Sequence, residues 1–219
     1  AAKATSTVVA GAKITEDGVV FRSHIDGSRH AMTPEESMRI QGLLGADIAM
    51  QLDECPALGE LTDDPSAVRR RVEAAVARTT RWAKRCLETW RRDYRPRGQA
   101  LFGIVQGGTF ADLRIRHAAE LASIEDGFDG LALGGLSVGE PVPSMYETLS
   151  AVADQLDPER PRYLMGVGTP PDLLHAIASG IDMFDCVLPT RNARNGQALT
   201  RFGKLNVKQA RFRDDPRPL

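Results

Sequence analysis

From Asp47 onward the chain repeats one theme: a short apolar run ending in polar or glycine residues, a segment with apolar positions at helical spacing, then another apolar run. That is β/α alternation. The runs DIAMQLD (47–53), LFGIVQ (101–106), LALGGL (131–136), YLMGVG (163–168) and MFDCVL (183–188) have strand length. Between the first two, Ser66 to Arg92 sets Val68, Val72, Val76, Thr79, Trp82, Cys86 and Trp90 on one stripe and predicts a long amphipathic helix. Shorter helices are predicted over 110–124, 144–156 and 170–178. Upstream, the pairs Asp17-Gly18 and Asp26-Gly27 flank VVFRSHI and predict a small antiparallel ribbon, since Asp-Gly favours hairpin turns. Thr33, Pro34 and Glu36 then read as a helix N-cap, first position and third position, with Gly45 as the stop.

Regular β/α units imply parallel strands, closed as an open doubly wound sheet or as a TIM-type (β/α)8 barrel. Asp53, Gln106, Gly135, Gly166 and Asp185 fall at the ends of different strands, where a barrel gathers its active site. GVGTPP at 166–171 lacks the dinucleotide-binding glycine spacing, which weakens the open-sheet alternative. No linker or low-complexity tract interrupts the pattern. A single α/β domain over 1–219 is expected, an incomplete barrel preceded by the ribbon, because five strands do not close a barrel of eight.

Composition narrows the function classes. The formal net charge of −1 excludes a domain that holds nucleic acid through a bulk excess of Lys and Arg, while leaving room for local patches. One such patch runs from Arg191 to Arg217, with eight basic side chains against two acidic ones. The many arginines of the 66–92 helix read as a solvated outer face. No apolar stretch approaches the ~20 residues of a membrane span, and the first residues show no export signal. Three scattered cysteines make a poor disulfide framework and suit a reducing cytoplasm; Cys86, on the apolar stripe, reads as core. The four histidines have no metal-like spacing.

FRSHIDGSRH (21–30), QLDEC (51–55), GIVQGG (103–108), LALGGLSVGEP (131–141), YLMGVGTP (163–170) and FDCVLPTRNARNGQA (184–198) resemble the tRNA-guanine transglycosylases, over about residues 13–219. These enzymes exchange the wobble guanine of certain tRNAs for a queuosine precursor. The resemblance implies a (β/α)8 barrel of which the five runs are strands four to eight. It also implies an upstream T-D-S-G-G-[FY]-Q motif, whose Asp is a general acid/base, and a downstream C-x-C-x-x-C…H zinc site. Neither motif occurs in this sequence, so an internal fragment is expected, with zinc belonging to the longer family chain and no metal ligand here.

By the same resemblance Asp185 is the nucleophile that attacks C1′ of the target nucleotide; on chemical grounds alone a strand-end Asp could equally be a helix cap. Asp53 binds the donor edge of guanine, while the Gln106 side chain and the Gly135 N–H reach O6, a set that matches the donors and acceptor of that base. Leu136 offers its carbonyl to the aminomethyl group of preQ1 (7-aminomethyl-7-deazaguanine), and Met165 packs on the base. Cys55 and Val138 match the bacterial pattern that selects preQ1. The anticodon loop is expected to meet Gly166, Val167, Gly168, Thr169, Pro170, Pro171 and Asp172, where a helix start offers N–H groups to phosphate. Thr190, Arg191, Asn192, Ala193 and Arg194 are expected to meet the flanking nucleotides. The family's bacterial members act as homodimers. A non-catalytic tRNA-binding partner subunit of the same family is the alternative, as is an unrelated small-molecule barrel enzyme; the retained Asp185, Asp53 and Gln106 argue against the first and PTRNARNG against the second.

Overall fold

The computed structural model describes residues 12–56 and 64–214. Three short strands, β1 (Lys13–Ile14), β2 (Val19–Arg22) and β3 (Arg29–Met32), form an antiparallel ribbon. Asp17-Gly18 and Asp26-Gly27 make its two turns, as expected. Helix α1 (Pro34–Leu44) follows, with Pro34 in its first turn. The Thr33 side chain accepts the Glu36 N–H at 3.1 Å, and Gly45 ends the helix at φ 71°.

The five apolar runs become β4 (Ile48–Met50), β5 (Ala100–Val105), β6 (Gly130–Leu133), β7 (Arg162–Leu164) and β8 (Met183–Phe184), hydrogen-bonded in that order. Every neighbour pair is parallel. Between them lie α2 (Pro65–Asp93), α3 (Ala111–Ala122), α4 (Val142–Ala153) and α5 (Pro170–Ala178). The result is a curled sheet with its helices outside, five consecutive units of an incomplete (β/α)8-type barrel. The strands stop short of the sequence runs because each run's polar end leaves the ladder: Asp53, Gln106, Gly135, Gly166 and Asp185 all lie just past a strand. Two elements were not expected. A short helix α6 (Leu188–Arg194) starts where the last run was read as strand, and a hairpin of β9 (Gln197–Thr200) and β10 (Gly203–Asn206) follows it.

The core lies between sheet and helices. Trp82, Cys86 and Trp90 of α2 are buried with Leu101, Val105, Leu133 and Leu149 among others. Burial pushes the Cys86 thiol up to about 12, the behaviour of a structural cysteine. The polar face of α2 is paired: Arg78 and Arg81 bind Glu16 in the β1–β2 turn, Arg85 binds Glu35, and Arg71 and Arg78 enclose the buried Glu54. That buried pair anchors the segment after β4 to α2. A small hollow lined by Leu121, Phe128, Leu131 and Arg162 lies at the opposite, N-terminal end of the strands and takes no part in the site.

Candidate active site

The strand ends form one rim. Gln106, buried just after β5, donates its Nε2 to Asp53 Oδ2 at 2.7 Å. Burial lifts the Asp53 carboxyl above its ordinary range, opposed by the Gln106 hydrogen bond. A carboxylate acceptor and an amide donor thus stand side by side, each satisfied by the other. The Gln106 amide rests on the Gly134–Gly135 backbone. A Cβ on Gly134 would come within 2.7 Å of Nε2, and one on Gly135, at φ 64°, within 2.5 Å of Oε1. Only glycine fits there. Cys55 is exposed, with its Sγ 3.2 Å from the same Gly135 position.

Behind this cluster stands α3. His117 is buried and its Nδ1 accepts the Gln106 N–H at 2.9 Å, which makes it a neutral ring; burial pushes its pKa down to about 4. Arg114, also buried, donates to the carbonyls of Gly108, Val105, Gly134 and Gly135. On the other side of the loop after β6, Glu140 accepts the N–H groups of Ser137 and Val138. These bonds hold Ser137 in the left-handed region at φ 60°. They also turn the Leu136 carbonyl away from Glu140, since C=O and the following N–H of a trans peptide point oppositely. Leu136 itself is buried, and Val138 is partly exposed at the loop's surface.

The second half of the rim holds Asp185, exposed just past β8. Its Oδ1 accepts from the Tyr163 hydroxyl at 2.6 Å and from the Gly166 N–H at 2.8 Å. Desolvation, followed by the hydrogen bond to the carboxylate, raises the Tyr163 phenol, so it stays a donor. Among the described residues no side chain or backbone group binds Oδ2. The carboxylate is therefore oriented through one oxygen and open at the other. Met165, between Tyr163 and Gly166, is tied to β6 through its N–H to the Leu133 carbonyl at 3.2 Å. Gly168 lies against Cys186, so close that a Cβ would fall 2.1 Å from the Cys186 Cβ.

The remaining sequence candidates flank Asp185. Pro170 and Pro171 bring no N–H to the start of α5. Gly166 already serves Asp185 and Val167 is buried, which leaves the N–H groups of Gly168, Thr169 and Asp172 for a phosphate there. The Asp172 carboxylate is held by Thr169 and, at 2.7 Å, by the Tyr146 hydroxyl. On α6, Thr190, Arg191, Ala193 and Arg194 are exposed and Asn192 half-buried. Arg191 and Arg194 make no ion pair among the described residues, unlike most arginines of α2. Arg217, at the end of the basic run, lies outside the described residues. Among the described residues no group of three or more His, Cys, Asp or Glu side chains is gathered to hold a metal ion, so they do not fit the zinc of the resemblance. No helix among them is long and apolar enough to cross a membrane.

The family model of queuine tRNA-ribosyltransferase matches residues 3–219. The chain belongs to that family. A queuine tRNA-ribosyltransferase of Sorangium cellulosum is 61% identical over 206 residues, covering 94% of this chain and 49% of the relative. Relatives of the same name from Solidesulfovibrio magneticus and Nitratidesulfovibrio vulgaris are 55% and 54% identical, each over 94% of this chain and 52% of their own length. The chain thus spans about half the length of the queuine tRNA-ribosyltransferases it matches.

Proposed function

We propose that the protein carrying this chain is a tRNA-guanine transglycosylase, a pentosyltransferase of queuosine biosynthesis that replaces the wobble guanine of G-U-N anticodon tRNAs with preQ1. The observation that carries this reading is the pairing, on one strand-end rim, of a guanine-matching donor–acceptor set with a carboxylate oriented through a single oxygen. Asp53 takes the N1–H and 2-amino group of the base, while Gln106 Nε2 and the Gly135 N–H take O6. The Leu136 carbonyl receives the aminomethyl group of preQ1, Met165 covers one face of the base, and Cys55 and Val138 shape the pocket for this precursor.

Asp185 Oδ2 attacks C1′ from the face opposite the base. A C1′–O bond forms as the C1′–N9 bond breaks, the electron pair leaves on guanine, and guanine takes up a proton. The incoming base then loses its N9 proton and attacks C1′, the ester breaks, and Asp185 is regenerated with configuration retained. Tyr163 and Gly166 hold Oδ1 throughout, so both displacements meet the same oxygen. The tRNA anticodon loop is held by Gly166–Asp172 and by Thr190–Arg194, whose Arg191 and Arg194, without an ion pair among the described residues, suit phosphate and base contacts. The reading includes a homodimer and a cytoplasmic location; three free cysteines agree with the latter.

The test is exchange of labelled guanine into a G-U-N anticodon tRNA, with the longest natural form of the protein beside its Asp185→Asn variant. Exchange by the first, reduced at least ~1000-fold in the second, is expected for loss of the nucleophile. tRNA binding without exchange in either would favour a non-catalytic partner subunit and overturn the proposal.

A further inference from the structure

Arg114 is a fully buried arginine whose guanidinium, among the described residues, hydrogen-bonds only to backbone carbonyls. Nε donates to Gly108 at 2.6 Å, Nη1 to Val105 at 3.1 Å, and Nη2 to Gly134 at 2.8 Å and Gly135 at 3.2 Å. No carboxylate pairs with it among the described residues. A buried cation without a counter-ion is costly, and hydrophobic packing would fill the same volume at less expense. Such a group persists where its hydrogen bonds do something packing cannot. The surrounding sequence is adapted to it: Gly107 has φ 152°, and a Cβ there would lie 2.6 Å from the Arg114 Cγ and 2.9 Å from its backbone nitrogen. The double glycine after Gln106 thus makes room for Arg114 at its first position and supplies a carbonyl at its second.

The four carbonyls belong to the ends of two neighbouring strands, β5 and β6, and these ends carry Gln106 and Gly135. The consequence for Gly135 is geometric. In a trans peptide the C=O of one residue and the N–H of the next point in opposite directions. With the Gly134 carbonyl drawn toward Arg114, the Gly135 N–H is turned away from it. Among the described residues that N–H has no acceptor of its own. Val105 and Gly108, on either side of Gln106, are pinned by the same guanidinium, while His117, one turn further along α3, accepts the Gln106 N–H.

We propose that Arg114 is a positioning residue for base recognition: by binding the Val105, Gly108, Gly134 and Gly135 carbonyls it fixes the Gln106 side chain and the Gly135 N–H as a preset pair of donors for the 6-oxo group of the purine. The choice of 6-oxopurine rests on the function proposed above; the clamp on the two strand ends does not. Arg114 touches no substrate, and it acts through the peptide planes it holds.

Two measurements on the longest natural form of the protein test this, with Arg114→Met and Arg114→Lys, and the exposed Arg116→Met as control. The first needs no ligand. Amide hydrogen exchange over 105–108 and 133–137 is expected to quicken at least ~10-fold in Arg114→Met, with the α2 core unchanged, because local protection there depends on the clamp. The second is calorimetric affinity for guanine against 6-thioguanine, which keeps N1–H and the 2-amino group but offers a poorer acceptor than O6. Wild type and Arg116→Met are expected to prefer guanine; Arg114→Met is expected to lose about ten-fold or more of that preference, and Arg114→Lys, which keeps the charge but not the fork, to fall between. If Arg114→Met does not fold, Arg114→Lys carries both tests. Unchanged exchange, or a preference equal to wild type in a folded variant, overturns the proposal. A wild type that binds no purine overturns the functional reading instead, and exchange alone then decides the clamp.

Discussion

Asp53 holds two opposed requirements. In the proposed role it must be a charged acceptor to read a purine's donor edge, yet it lies where burial raises its pKa, opposed first by the Gln106 hydrogen bond. A carboxyl whose folded pKa is raised contributes its full stability below its ordinary value of 3.8 and loses it as pH rises through the folded value. At neutral pH the group is therefore a burden on the fold. Asp53→Asn keeps an acceptor for Gln106 and removes the charge, so Tm at pH 7 should rise by roughly 2–4 °C. Guanine affinity should fall about 100-fold, as an amide cannot take both donors of the base. Thermal unfolding and calorimetry check the two effects; a lower Tm with affinity kept would contradict this account. The strand-end positions of Asp53, Gln106, Gly135 and Asp185 were legible from the apolar runs, whereas their proposed roles came from the family resemblance. Arg114, Glu140 and Tyr163 were not singled out. A charged residue on an amphipathic helix reads as solvent-facing, and nothing local to Arg114 says that its partners are carbonyls of two other elements.

At the scale of elements, α3 supports the site. Its residues Arg114 and His117, one turn apart, reach the ends of β5 and β6, so the helix sets the height of the rim. His117 makes this support sensitive to acid. Its pKa is pushed down to about 4 from 6.5, because burial disfavours the charged ring, partly opposed by the hydrogen bond to the Gln106 backbone. For a base with a depressed folded pKa, stability is complete above its ordinary value and is lost as pH falls from there through the folded value. Wild type should lose up to about 3 kcal/mol between pH ~6.5 and ~4 from this group. His117→Asn, which keeps an acceptor but does not titrate, should flatten that part of the profile. Denaturant unfolding at a series of pH values measures it, and parallel profiles would contradict the assignment. The larger helices and all five central strands were legible from spacing. α6 and the β9–β10 hairpin were not: LPTRNAR has no apolar stripe, and the turn around Phe202-Gly203 lacks an Asp-Gly or Asn-Gly pair.

For the whole molecule, the order β4 to β8 places five strand ends on one rim, and the proposed chemistry depends on their being neighbours in one sheet. The proposed base pocket lies at the ends of β4 to β6 and the proposed nucleophile just past β8; Tyr163 in β7, with Met165 and Gly166 just after it, joins the two. Charge divides the same way. Arg71, Arg78, Arg81 and Arg85 of α2 are paired with Glu16, Glu35 and Glu54, whereas Arg191 and Arg194 beside Asp185 have no ion pair among the described residues. The neutral overall composition hid this, since it averages a paired face with an unpaired one. In the proposed reaction Asp185 becomes covalently bound to C1′ of the tRNA. The most direct measurement incubates the longest natural form of the protein with a G-U-N anticodon tRNA, quenches in denaturant, and maps any cross-linked peptide by mass spectrometry. A ribosyl ester on Asp185, absent from Asp185→Asn and released by added guanine or preQ1, is the predicted result; base exchange with no adduct, or an adduct on another residue, would contradict it.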